Sequence, residues 1–542
     1  MHIYLQWSAR HTLIGLILTA PSMGFGDIIS TGEVYRFEDG LIVGTGVGPG
    51  YHEVNGGSLD RARFLSVATE PTPSVGSVLV SGNGSTLLLD GVGQSNHLDL
   101  QAGTSNVIVN DGGSIRVVAN REDCAPGWCN SFVGNFAGSE ATLTISGIGS
   151  SATGFFNAFV VGATGVFTEE TSGFDAGIMG GTTNAMVNIV DGGLLSTEGI
   201  SIGQTLSADG DGSEVSNAIL NIDGVGSLWT GTSAVLGTGV NATGVLRIIN
   251  GGTALIQPST VDGQSSFFIG SSDSTGASQI IVDGSSSQLI VSNTLTTYSI
   301  VQNGSLLVTN GGSVSLDNSN LAIGLNEGLG RLSIGDGSVV ESDLTIIGPD
   351  GFAGNGIASL IGGTIVGDVV VDNNGLLVGT GTIDGNLIDS GGVIGPGFSP
   401  GTLAITGNLV GGGGTLELEI GGVEAGLFDQ IVVGGFADLA DFDVAISFID
   451  DFLPSTGDVI NFLVAELITA PFDPSRVSYS GLPEGFEFGF AFSSTGISLV
   501  TEKGVPVPEP GTLTMLLFGL IGFFLKRTSE SKWRRGWDLN PR

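Results

Sequence analysis

The sequence predicts an all-β chain wound as a β-solenoid, and three observations carry that expectation. Glycine supplies 93 of the 542 residues, about one in six. Short aliphatic runs with period two recur between residues 75 and 500, where no helical period of useful length is visible. Asn/Asp-Gly-Gly turns return in one frame along the chain. The glycines lack the strict every-third spacing of collagen. The 41% hydrophobic content supplies enough apolar surface to build a core, which argues against wholesale disorder.

Residues 1–26 read as a secretory signal peptide. Arg10 and His11 precede the apolar run Leu13 to Ala20, and small residues end at Gly26, near which cleavage is expected. The run is too short for a stable membrane span. Residues 27–74 are expected to form an N-terminal strand-rich cap.

Residues 75–400 carry the repeats. VIVNDGGSIRV (107–117), VNIVDGGLLST (187–197), LRIINGGTALI (246–256) and LLVTNGGSVSL (306–316) share one pattern, with Gly112, Gly192, Gly251 and Gly311 spaced 80, 59 and 60 residues apart. A sister pattern falls between them: LLLDGVGQ (87–94), LTISGIGS (143–150), LNIDGVGS (220–227) and IIVDGSSS (280–287). A third piece ends aliphatic runs in glycine: FVVGA (159–163), AVLGT (234–238), FFIGS (267–271) and LAIGL (321–325). Alternating aliphatics turn one face inward, and Asn/Asp-Gly pairs supply positive φ at corners. At roughly 20–25 residues per coil this segment holds some 13–16 coils, about 60–75 Å of rod at the ~4.8 Å strand spacing. Residues 401–502 have longer, phenylalanine-rich strands and are read as a C-terminal β cap, because terminal repeats must hide an open edge.

The repeats resemble those of autotransporter passenger domains, and residues 379–462, with Gly395-Pro-Gly-Phe-Ser-Pro-Gly-Thr-Leu403, resemble the segment that follows them. That resemblance implies a right-handed parallel β-helix. The resemblance also implies a translocator barrel of several hundred residues after the passenger, whereas about forty residues follow Thr501, so a different export route is expected.

The C-terminal end is read as a sorting signal. Val507-Pro508-Glu509-Pro510-Gly511, within a 503–511 linker, leads into the apolar stretch 512–525, then Lys526 and Arg527 of a basic 526–542 tail. This order of parts resembles the PEP-CTERM signal of exosortase substrates in Gram-negative bacteria. The resemblance implies Sec export, a transient inner-membrane anchor at 512–525 and cleavage by an exosortase-type enzyme. The cell surface, outer membrane or extracellular space would follow. Lys526 and Arg527 would mark the cytoplasmic side. A permanent anchor is the alternative. The extension beyond Thr528 departs from the family pattern.

Charge sharpens this picture. The chain carries −37 overall, but residues 27–506 hold nine basic and fifty acidic residues, a balance of −41 between basic ends. Such acidity excludes nucleic acid as a partner. Chemistry-bearing residues are sparse. Cys124 and Cys129 are the sole cysteines, too few for a structural zinc site, and in an oxidising compartment they are expected to form a local disulfide. His52 and His97, the histidines beyond the signal peptide, are read as surface residues. Asp209, Asp211 and Glu214 form the one candidate calcium loop, against the alternative of a solvated acidic loop; no other cofactor is expected. The expected role is a non-enzymatic structural or adhesive surface or matrix component, meeting exopolysaccharide or copies of itself. A polysaccharide-cleaving β-helix enzyme acting through paired carboxylates is the alternative.

Overall fold

The computed structural model describes residues 27–505 apart from 33, 38–39, 46–47, 70–73, 91–96, 102, 119–129, 137, 166–180, 207–213, 259–265, 272, 275–277 and 398–399. The expected signal peptide at 1–26, Cys124, Cys129, Asp209, Asp211, Val507–Gly511, the 512–525 stretch, Lys526 and Arg527 lie outside the described residues. Among those described, no helix is long and apolar enough to cross a membrane. A 3-10 turn, Pro474–Arg476, interrupts the strands near the C-terminal end.

Each coil contributes three strands, and each stacks in parallel on its counterpart in the next coil. Leu79, Ile108, Thr144, Asn188, Asn221, Arg247 and Ile281 follow one another in register on the first sheet. The second sheet runs through Leu59–Ala62, Thr86–Leu89 and Ser114–Val117, and the third through Gly40–Val43, Leu65–Val67 and Leu98–Leu100. Period-2 alternation sends one row inward: Val107, Leu143, Val187, Leu220, Leu246, Ile280 and Leu306 are all fully buried. Each such side chain contributes about 1.5–3 kcal/mol of burial, and stacked rows merge into one continuous core.

The two glycine patterns are one corner in alternate coils. At Asp191-Gly192 both residues have positive φ, 53° and 89°, as a type I′ turn needs. A Cβ on the following Gly193 would lie 2.4 Å from the Ile145 carbonyl oxygen of the coil before, so only glycine fits. The next coil turns instead through Gly224-Val-Gly-Ser227. The buried Ser227 hydroxyl accepts from the Gly192 N–H at 3.1 Å and donates to its own strand at Asp223 O, 2.7 Å. The same bond joins Gly57 to Ser85, Gly112 to Ser150, Gly251 to Ser287 and Gly311 to Ser338, at 2.9–3.1 Å. The spacings of 59 and 60 residues therefore span two coils each. The third pattern marks another corner, where Gly162, Gly237, Gly270 and Gly324 take positive φ after a third-sheet strand.

Coil length departs from the expected 20–25 residues. Ile280, Leu306, Leu332 and Ala358 step by 26 residues, while the extremes are 17, from Leu377 to Ile394, and 44, from Leu143 to Val187. Among the described residues, twelve first-sheet strands fall between residues 75 and 400, against the expected 13–16 coils. Inward periodicity fixes the register of a coil, whereas corner loops lengthen without disturbing it.

Parallel pairing also reaches beyond the expected 75–400 segment. It already holds Pro49–Asn55 and Gly40–Val43, inside the expected 27–74 cap. It continues through Asp443–Phe448 to Val477–Ser480, inside the expected 401–502 cap. The reason lies in burial: every second residue of Pro49–Asn55 is buried, as in Val75–Ser81, although its inward row includes His52 rather than an aliphatic. Antiparallel strands close the two ends. Ile28–Gly32 and Val34–Phe37 cover the first coil, and Gly496–Lys503 with Glu487–Phe492 covers the last. Phenylalanines fill the latter end: Phe472 packs edge-on to Phe490 at 5.0 Å, and Phe448 stacks on Phe488 at 5.2 Å.

Ser227→Ala leaves the half-buried Gly192 N–H without its partner, so urea unfolding should show a loss of about 1 kcal/mol or more. Hydrogen exchange should speed up in the two coils that share the bond and not at distant coils; an unchanged unfolding midpoint would refute this role for the hydroxyl.

Candidate functional surface

With backbone and aliphatics committed to stacking, recognition falls to the outward rows and the ends. On the first sheet, Thr104, Glu140, Asn184 and Asn217 stand in register on successive coils. Asn217 Nδ2 donates to Asn184 Oδ1 at 3.1 Å, and Asn184 Nδ2 donates to Glu140 Oε1 at 2.8 Å. The adjoining row is Asn106, Thr142, Met186 and Ile219, with Met186 38% exposed. Between these rows runs a groove of about 570 Å³, floored by the small residues Ser105, Ala141 and Ala185. Among the described residues, Glu140 is the one charged residue that lines it.

Farther along the same sheet, Val378, Gly395, Gly397, Glu417, Glu419, Asp429 and Ser447 line a hollow of about 360 Å³. Asp429 is buried and accepts from the Gly401 and Glu419 N–H groups, each at 2.8 Å. Burial pushes its carboxyl up to about 7, against the pull of those two bonds. A Cβ on Gly397 would meet Asp429 Oδ1 at 2.2 Å, which accounts for one glycine of the Gly395-Pro-Gly397 stretch. Asp99, 2% exposed, is likewise pushed up to about 7 by burial, while Gln101 Nε2 donates to it at 2.6 Å.

A polar chain sits at the N-terminal end. Ser30 Oγ lies 2.8 Å from His52 Nδ1, and His52 Nε2 lies 2.8 Å from Asp60 Oδ2. Arg36 reaches both Asp60 oxygens at 2.5 Å. The residue types are those of a nucleophile–base–carboxylate relay, yet the guanidinium occupies the carboxylate that would have to support an imidazolium. Ser30 and His52 are also direct cross-strand partners of the cap. The geometry is that of a latch holding the cap strands Ile28–Gly32 and Val34–Phe37 on the first coil. Burial would raise the Asp60 carboxyl, but hydrogen bonds from His52 and Arg36 and the Arg36 charge hold it below its ordinary value.

Sequence reasoning missed this latch because His52 was read as a surface residue, whereas it is fully buried. Its signal was a histidine at an inward period-2 position followed by Asp60 on the next strand. His97 is half-buried and stacks on Phe64 at 5.5 Å. Of the calcium candidates, Glu214 opens the strand Glu214–Asp223, 3% exposed, with no hydrogen-bond partner at Oε2 among the described residues. Its inward position removes it from an open acidic loop. No group of three or more His, Cys, Asp or Glu side chains that could hold a metal ion occurs among the described residues.

Asp60→Ala should release the cap: exchange at Ile28–Gly32 accelerates while the middle coils keep their protection. In the wild type this end should loosen as pH falls below the ordinary aspartate range, because a depressed folded pKa stabilises only above it. Asp429 has the opposite sign. A carboxyl raised on folding binds its proton more tightly in the folded state, so stability declines as pH rises from about 4 through about 7. Asp429→Asn should flatten that part of the melting-temperature profile, and an unaltered slope would assign the effect elsewhere.

No curated protein matches the chain at a significant level. Among solved structures, the crystal structure of the Haemophilus influenzae Hap adhesin matches with a TM-score of 0.23 at 10% identity, over 85% of this chain and 63% of that one. The chain thus spans less than two thirds of that protein's length. The PEP-CTERM protein-sorting motif is matched at residues 506–527, immediately after the last described residue, Val505, and it implies export, cell-surface sorting and processing by an exosortase-type enzyme.

Proposed function

We propose that the protein is a non-enzymatic structural or adhesive solenoid of a bacterial cell surface or extracellular matrix. The observation that carries this reading is the placement of the sorting motif. The cap strand Gly496–Lys503 ends the solenoid, Gly504 N–H donates to Thr456 Oγ1 at 3.0 Å, and Val505 N–H donates to Pro454 O at 3.0 Å. The matched motif begins at the next residue. Nearly the whole exported chain is therefore rod, and cutting near the motif would free it intact.

In this reading the signal peptide directs Sec export from a Gram-negative cytoplasm, and residues 512–525 form a transient inner-membrane helix. An exosortase-type enzyme cuts near Val507–Gly511. The coils wind in the right-handed sense that parallel crossovers take, and Cys124 and Cys129 pair as a local disulfide. With −41 on residues 27–506, rods repel one another unless divalent cations such as calcium bridge them. A second reading, a polysaccharide-cleaving enzyme, draws on the Asp429 carboxyl beside Glu417 and Glu419, since a raised carboxyl in a hollow is the form a general acid takes.

Mass spectrometry of the protein recovered from cells tests the main reading. A C-terminus between Val507 and Gly511 is expected. An intact Arg542 would refute processing and leave a permanently anchored protein.

A further inference from the structure

We propose that the first-sheet groove bounded by Thr104, Glu140, Asn184 and Asn217 binds an uncharged polysaccharide, with the sugar chain lying along the rod axis. The proposal deepens the surface role above and rests on it for biological setting, though not for the chemistry of the groove.

Charge selects the ligand class first. A polyanion would have to approach a −41 ectodomain and enter a groove with no basic residue among its described lining residues. A cationic partner would find a single carboxylate, Glu140, already accepting from Asn184. An extended peptide has no strand edge to pair with here, because every first-sheet strand beneath the groove is bonded on both sides.

What remains is a surface of amides and hydroxyls around an apolar strip. Asn106, Asn184 and Asn217 each carry donors and an acceptor on one side chain, and Thr104 and Thr142 do so through one hydroxyl. A sugar hydroxyl likewise both gives and takes. Met186 and Ile219 offer apolar surface for the C–H face of a pyranose, and the thioether adapts to an uneven outline. The hollow of about 570 Å³ lies within the range of roughly 300–1,000 Å³ typical of ligand sites.

Register supplies the repeat. Equivalent positions recur on successive coils at the ~4.8 Å strand spacing, close to the length of one sugar residue. The row Thr104, Glu140, Asn184, Asn217 therefore presents a polar group at each step of a chain lying across the strands. The amides are also pre-oriented by their mutual bonds, so binding orders fewer side chains.

The test uses the full-length protein in detergent, titrated calorimetrically with dextran, with β-glucan oligosaccharides and with polygalacturonate. Binding to at least one neutral glycan is expected, unchanged from low to high salt, with no competition from polygalacturonate. Asn184→Ala combined with Asn217→Ala should weaken it about tenfold or more. Met186→Glu should weaken it without removing an amide, and Glu341→Gln on the second sheet should leave it unchanged. These side chains are on the outer face, and an unaltered melting curve checks that each variant is folded. Failure to bind any neutral glycan, wild-type affinity in the double variant, or equal binding of polygalacturonate would overturn the proposal. A protein found on the cell surface that binds no neutral glycan sinks this inference alone. One that binds but never leaves the cell sinks the surface role alone.

Discussion

The structure depends on one contact: the corner of each coil must lie against the backbone of the coil before it. At Gly193 that approach leaves no room for a methyl group beside the Ile145 carbonyl. The turn that precedes it exposes a backbone N–H, at Gly192, toward the following coil. A second identical turn there would present another donor to that donor. The alternate coil instead offers a hydroxyl, Ser227, which accepts the bond and anchors itself on its own strand. The two-coil period is thus a solution to hydrogen-bond complementarity at a buried corner.

Once corners and inward rows fix the coils, the outward rows are released from structural duty. This explains how a single sheet can change chemistry along its length. Amides gather around Asn184 and Asn217, while carboxylates gather around Glu417 and Asp429. The ends obey a different demand, since a solenoid leaves bare strand edges there. The N-terminal end is covered by short antiparallel strands and a latch in which the exposed Arg36 grips the buried His52–Asp60 pair. The other end uses stacked phenylalanines and the hairpin ending at Lys503. That second closure leads directly into the sorting motif. The rod is finished where its export tag begins.

How much was legible in the sequence follows from the range of each interaction. The inward rows were legible because burial imposes period two on Val107, Ile189 or Leu306 whatever the neighbouring coil contains. Corners were legible as Asn/Asp-Gly because positive φ is a local requirement. The sorting signal was legible because its parts are contiguous. The groove was not. Asn106, Thr142, Asn184 and Asn217 come from four coils, and no spacing rule relates them when intervening loops differ in length. The latch was hidden for a related reason: Ser30 and His52 meet through an antiparallel pairing that sequence periodicity does not reveal.

The sequence by itself determined which aliphatic residues point inward, where the chain can turn, and which segment carries the export address, because each is decided by local conformation or by burial. Only the tertiary structure decided that the two glycine patterns are one alternating corner, that the solenoid begins before residue 75 and runs past residue 401, and which outward side chains share a groove. Those outcomes depend on register between coils, and register is set by the fit of one coil against the next.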